Sequence, residues 1–467
     1  MDKNTTSDGL KRDIGLLSAT VLVVANMVGS GIFTTSGFII SETGSAKMML
    51  ICWFLGGLFA LTGALCYAEL GAMLPRSGGE YAYLHKAFGP FPAFLSGWIS
   101  LIVGFSAPIA AAAIAFSTYF LGTGAEPWLQ FGGQKAWLVL SPKTLMACMA
   151  VLCLSLVHYH SLNLGTGIQN LLTFIKILFI AAFIVGAALL GKGDMANFSL
   201  ALDHTTGNAA SYAVALIFIS FAYSGWNAAA YLGGEIRNPG RNLPWSLILG
   251  TLLVVALYML LNVVFVYALP PAAMTGSLEV GKEAAVALFG EKAGQVFAMA
   301  IAVGLLSVLS AMIMAGPRVY FAMARDGLFF KRFGLVNASR RTPAAAIFFQ
   351  AAIAVFMILC AAYDTLLIYI GFTLSLTAVM TVTALFYLRW KSPELARPYR
   401  TLGYPLTPLI FIVGNLWIVA YTLFSRPVVC VAGLLTIGAG AGLYFLFQRS
   451  RSDEVLTIEK TLSEAAD

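Results

Sequence analysis

Runs of apolar residues as long as a bilayer is thick recur along almost the whole of this 467-residue chain. A spanning helix needs roughly 20 such residues. Within lipid the backbone must satisfy its own N–H and C=O groups, so runs of this length can only be helices. In order they cover 14–40, 46–73, 91–120, 141–158, 168–190, 211–235, 245–269, 294–322, 343–361, 365–388, 405–424 and 428–447. The expected fold class is an all-α polytopic membrane protein with twelve transmembrane helices. A polar segment 1–13 precedes the first helix and a polar tail 448–467 follows the last.

The charges, only 10% of the chain, give the orientation. An even number of spans puts both termini on one side. Of the 28 Lys and Arg residues, twenty fall in connections on that side and seven on the other. The positive-inside rule makes the terminal side cytoplasmic. The surplus of +7 is therefore a topology signal, and no basic patch for nucleic acid is expected. Lys176 belongs to neither side. It lies in QNLLTFIKILFIAAF, inside the fifth span. A lysine at that depth costs a few kcal/mol unless it is paired, loses its charge or snorkels to the interface.

The first span carries Gly29-Ser30-Gly31 within VVANMVGSGIFTTS, and the sixth carries Ser224-Gly225-Trp226-Asn227. Glycines in mid-span either break the helix or let another helix pack closely. If they break it, the freed N–H and C=O groups must find partners. Transporters built this way use them for ligands, with a half-helix N-terminus facing an anion. Five spans separate the two interruptions. An odd number per repeat inverts the second repeat relative to the first. The expected plan is thus an inverted pair, 14–190 (spans one to five) and 211–388 (six to ten), with 405–447 (eleven and twelve) as an appendage.

Other chemistry is sparse. The six cysteines show no C-x-x-C spacing, and the four histidines show no metal-ligand pattern. No metal, cofactor or catalytic constellation is expected, which weighs against an enzyme, and no nucleotide-binding loop points to a pump. His158 and His160 read as interfacial. Glu69 and Glu80 read as solvated charge near the cytoplasmic mouth, or as gate partners for Arg76 or other loop bases. No cleaved leader is expected before the first span.

Several stretches resemble the amino acid–polyamine–organocation (APC) superfamily of transporters. They are MVGSGIF, YAELGAMLPRSGGEYAYLHKAFG, FAYSGWN followed by EIRNPGRNLP, and AGPRVYFAMARDGLF. The resemblance implies a LeuT-type fold with helices 1 and 6 broken. FAYSGWN, with a lysine in the fifth span, is most similar to the L-type branch, which moves neutral amino acids without sodium. Gly233-Gly234-Glu235-Ile236 departs from that branch, which usually carries a Glu-Glu pair there. Animal members bond to a heavy subunit through a cysteine in the outer loop after span three. The loop 122–140 has none, so no disulfide-linked heavy subunit is expected.

The resemblance implies a sodium-independent secondary transporter of neutral L-amino acids, working by alternating access as an antiporter or a proton symporter. The alternative is another small amine, a polyamine or a cationic amino acid, in the same fold. The absence of an acidic residue near the breaks in sequence argues against a cationic substrate. A channel is a further alternative. The substrate carboxylate is expected on backbone N–H groups at Gly29, Ser30 and Gly31. Its ammonium is expected on carbonyls of Met27, Phe221 and Ser224, with Phe221 as gate. Asn227 either faces substrate or ties span six to a neighbour, and Trp226 either shapes the pocket or packs. Lys176 is expected to replace the coupling cation, donating to Ala25 and to a hydroxyl of Ser307 or Ser310. The expected location is the plasma membrane, a bacterial inner membrane, in contact with lipid.

Overall fold

The computed structural model describes residues 12–122, 128–131, 138–160, 162–202, 208–335, 343–360 and 363–464. The chain starts with α1 (Leu16–Met27), α2 (Ser30–Thr34) and α3 (Ser36–Thr43), followed by α4 (Ala46–Met73). Next come α5 (Glu80–Phe88), α6 (Pro90–Ile99), a π-helical stretch Ser100–Ser106 and α7 (Ala107–Leu121). After a small antiparallel pair, Leu129–Phe131 with Leu138–Leu140, come α8 (Pro142–His160) and α9 (Leu162–Leu190). The second half contains α10 (Ala209–Ala222), α11 (Ala228–Tyr231), α12 (Pro239–Ala268), α13 (Pro271–Met274) and α14 (Val280–Phe289). It continues with α15 (Glu291–Ala315), α16 (Pro317–Arg325), α17 (Ala344–Cys360), α18 (Tyr363–Lys391), α19 (Leu406–Ser425) and α20 (Pro427–Glu464).

The molecule is a helical, multi-pass membrane protein. Among the described residues, ten segments are long and apolar enough to cross a bilayer, and Ala209–Ala222 and Ala344–Cys360 are shorter apolar helices. Local chemistry sets several boundaries. The Ser45 hydroxyl accepts from the Met48 N–H at the start of α4, and Asn208 caps α10 through the Ser211 N–H. Proline at the first turn opens α6 and α12. The last helix runs past the expected limit at 447, because residues 448–464 contain no glycine or proline to stop it.

Burial sorts the spans into two rings. The segment Pro90–Leu121 is 83% buried over its most apolar window, whereas Pro142–His160 and Pro427–Gln448 are 22% buried. α1, α7, α10 and α15 make up the interior. α12 packs on α4 and α1, and α15 on α7 and α9. Leucines and phenylalanines of α8, α9, α19 and α20 point outward, as a lipid-facing ring requires.

Candidate functional site: two interrupted helices around a cavity

Both glycine-bearing spans are interrupted. α1 stops at Met27 and helix resumes at Ser30, while Gly29 is extended (φ −113°, ψ −154°) and its N–H turns back to the Met27 carbonyl at 2.8 Å. α10 stops at Ala222, and five residues pass before α11 starts at Ala228. Gly225 makes that passage at φ +94°, a conformation costly to any residue with a Cβ.

The two interruptions touch. A Cβ on Gly31 would lie 2.5 Å from the Ala222 Cα, and one on Gly225 would lie 2.4 Å from Asn26 Nδ2. The alternatives left open by the sequence therefore both hold: the helices break, and the glycines let the broken pieces approach. Tyr258 of α12 joins the two ends. Its hydroxyl lies 2.6 Å from the Met27 carbonyl and 3.1 Å from that of Ala222, sharing one hydrogen between them.

A cavity of about 90 Å³ opens beside the contact. That is room for roughly six waters, the displacement of a small amino acid. Asn26 comes from the end of α1, Phe221 from the last turn of α10, and Ser224 and Asn227 from the gap after it. Phe59 and Ala60 of α4, Phe105 of the π-helical stretch, Ser375 of α18 and Asn415 of α19 complete the wall with Glu80. A π-turn here re-aims Gly104 and Phe105 at the cavity, a common use of that irregularity.

Two amide oxygens are available on this wall. Asn26 Oδ1 is buried and has no hydrogen-bond partner among the described residues. The Asn227 nitrogen donates to Glu80 Oε1 at 2.9 Å and to the Tyr231 hydroxyl at 3.1 Å, and among the described residues nothing donates to its oxygen. Phe221 is buried on the wall, and its carbonyl accepts from the Ser224 N–H at 2.9 Å. Trp226 both lines the cavity and packs edge-on against Tyr67 and Phe411.

The profile of the family described as amino acid permease matches residues 14–441. The chain belongs to the amino acid permease family. It is 32% identical over 453 residues to b(0,+)-type amino acid transporter 1 of Mus musculus, covering 95% of this chain and 89% of the relative. The large neutral amino acids transporter small subunit 2 of Homo sapiens is 32% identical over 447 residues, 94% of this chain and 80% of that one. The serine/threonine exchanger SteT of Bacillus subtilis is 32% identical over 452 residues, 96% of this chain and all of that one. The protein is thus an amino acid transporter of the APC superfamily, and its relatives are transporters rather than enzymes.

In this permease Lys176 is buried and turned inward rather than snorkelling. Its ammonium donates to the Val28 carbonyl at 2.6 Å and to that of Ala25 at 3.1 Å, while its stem lies over Gly304 of α15. The expected hydroxyl partner is a correction. Ser307 donates to the Gly304 carbonyl, and Ser310 Oγ is 2.8 Å from His158 Nε2. The helix end of α1 offers carbonyls freed by the break, and these satisfy the ammonium better than a hydroxyl already bound in its own helix. His158 is likewise buried rather than interfacial.

Neither acidic residue is solvated charge. Glu69 is fully buried, takes two hydrogen bonds from Arg389 (2.9 and 2.6 Å) and one from the Thr401 N–H at 2.6 Å. Glu80 lines the cavity. Breaks that are acid-poor in sequence therefore do not make an acid-free cavity: Glu80 arrives from α5, 147 positions from Asn227.

The end of the bundle holding these charges is tied shut. Ile14 pairs with Ile236 through the Glu235 carbonyl (3.0 Å) and the Arg237 N–H (2.9 Å). Glu235 accepts from Arg318 at 3.3 Å. Asp326 accepts from Arg76 and, at 2.8 Å, from the Tyr81 hydroxyl. Asn26 and Tyr258 carry no expectation from the sequence, while Glu80 and His158 stand in roles other than those expected. Only Asn26 carried a local signal, as an amide one residue before Met27 in an apolar run.

Proposed function

We propose that this permease is a sodium-independent secondary transporter of neutral L-amino acids, working by alternating access as an exchanger or a proton-coupled symporter. The observation that carries the reading is the cavity where the two interruptions meet, with the Asn26 and Asn227 oxygens both lacking donors among the described residues. Two acceptors suit an ammonium. The apolar rings of Phe59, Phe105 and Phe221 suit an uncharged side chain. The carboxylate goes to backbone N–H groups at Gly29, Ser30 and Gly31, which the Gly31–Ala222 contact covers until the broken first span (α1 and α2) and α10 part. Parting releases the Met27 carbonyl from Tyr258, and the Met27, Phe221 and Ser224 carbonyls complete the site. Phe221 then acts as its gate.

Lys176 takes the place of a coupling cation by holding Ala25 and Val28 with its ammonium. The architecture is twelve spans as two inverted repeats of five (14–190 and 211–388) plus a pair. The end bearing Arg76, Arg318 and Asp326 is cytoplasmic, in a plasma membrane of bacterial inner-membrane type. The human relative is called a small subunit; with no cysteine in 122–140, this chain works without a disulfide-linked heavy subunit.

A second reading, transport of a cationic amino acid or polyamine, gains one observation: Glu80 on the cavity wall has no cationic partner among the described residues. Purified protein in liposomes, loaded and challenged with a panel of neutral and basic amino acids, separates the two. Saturable uptake of neutral amino acids without sodium, stimulated by the same amino acids on the far side, is expected. Preference for arginine, lysine or putrescine would replace the first reading with the second.

A further inference from the structure

The cavity floor holds a carboxylate that amino-acid binding leaves unused. Glu80 opens α5 and is only 6% exposed. Its Oε1 accepts from the Tyr67 hydroxyl at 2.7 Å and from Asn227 Nδ2 at 2.9 Å. The charged groups of the surrounding elements are committed elsewhere. Arg76 and Tyr81 go to Asp326, Arg318 to Glu235 and Arg389 to Glu69. His85 packs on Tyr81, while Lys86, Arg325 and Lys391 are exposed. The titratable groups near Glu80 are phenols: Tyr67 donates to it, and Tyr83 and Tyr231 lie close enough to feel its charge. Burial pushes the Glu80 carboxyl above its usual range, while the hydrogen bonds from Tyr67 and Asn227 pull it back.

A carboxylate only accepts hydrogen bonds, so an anionic Glu80 must face the nitrogen end of the Asn227 amide. That leaves the oxygen end for the cavity. A protonated carboxyl has an O–H to give and can take the oxygen end itself. We propose that Glu80 is a proton-binding positioning residue of the substrate site. As a carboxylate it keeps the Asn227 carbonyl available to the substrate ammonium, and on taking up a proton it draws that carbonyl away. The inference rests on the cavity being the amino-acid site proposed above, and it gives that site a pH response.

The sign follows. Above the Glu80 titration the acceptor is presented and affinity is high. As pH falls through it the acceptor is withdrawn and KM rises, although a neutral amino acid keeps the same charge between about pH 5 and 8. The test is the KM for tritiated leucine and serine against pH, in proteoliposomes of the full chain. Wild type should lose affinity by about tenfold toward acid, the effect of one hydrogen bond to a charged group. Glu80→Gln should be flat at the weak, acid value with kcat little changed, and Glu80→Asp should restore the slope.

Tyr67 lies outside the cavity wall, so Tyr67→Phe removes a donor to the anion without touching substrate. Its midpoint should move up by about one pH unit. A slope retained in Glu80→Gln, or an unmoved midpoint in Tyr67→Phe, overturns the inference. Undiminished binding in Asn26→Ala, read in parallel, removes the cavity reading beneath it instead.

Discussion

Asn26 carries more of the proposed recognition than its position in an apolar helix would announce. A buried carbonyl oxygen without a donor costs about 1–3 kcal/mol, a cost a bound ammonium would remove. Asn26→Ala should therefore raise KM for neutral amino acids about tenfold with folding intact, as liposome uptake and size-exclusion profiles would show. Lys176 works differently, because its ammonium is the donor for two carbonyls at the end of α1. Lys176→Ala leaves both short of a partner, and sodium-independent uptake should fall at least tenfold. Normal uptake in that variant would remove its role. Lys176 was legible because a lysine inside an apolar run is costly unless it is paired, neutral or snorkelling, and the family resemblance implied Ala25 as a partner. Glu80 was not, since its sequence neighbourhood, PRSGGEYAY, reads as a polar turn. Only the folding of α5 beneath the second interruption brings it to the cavity.

At the scale of elements, glycine spacing and polar residues in mid-span were enough to locate both interruptions. What they could not give was the partner of each freed carbonyl. Tyr258 lies 231 residues from Met27, and nothing near it marks it as a cap for two broken helices. The same limit applies to Ser310, whose pairing with His158 depends on the packing of α8 on α15. The close approach of α2 to α10 is itself testable. Gly31→Ala places a methyl 2.5 Å from the Ala222 Cα, and Gly225→Ala adds strain of about 1–3 kcal/mol from its positive φ. Both should cut transport at least tenfold. Gly29→Ala, with its nearest neighbours at 3.6 Å, should be tolerated better. Equal activity of all three in liposomes would mean that the contact does not matter.

The whole molecule is fastened at both ends in this conformation. At one end are the Ile14–Ile236 bridge, Arg318–Glu235 and the cluster of Arg76, Tyr81 and Asp326. At the other, Tyr119 donates to the Phe33 carbonyl, and Ser36 donates to Asn262. Alternating access requires each set to open in turn. Cysteines at Arg76 and Asp326, in a background free of the six native cysteines, should stop uptake when bridged by a short bifunctional thiol reagent. Single cysteines should be insensitive to it. The central claim is that the interruptions after Met27 and Ala222 meet on a cavity that holds an amino acid. A cryo-electron microscopy map of the full chain in nanodiscs with saturating leucine tests it most directly. The account predicts density for the amino acid in contact with both Asn26 and Asn227, beside helices broken at 28–29 and 223–227. Continuous helix through those residues, or leucine bound elsewhere with the cavity empty, would contradict it.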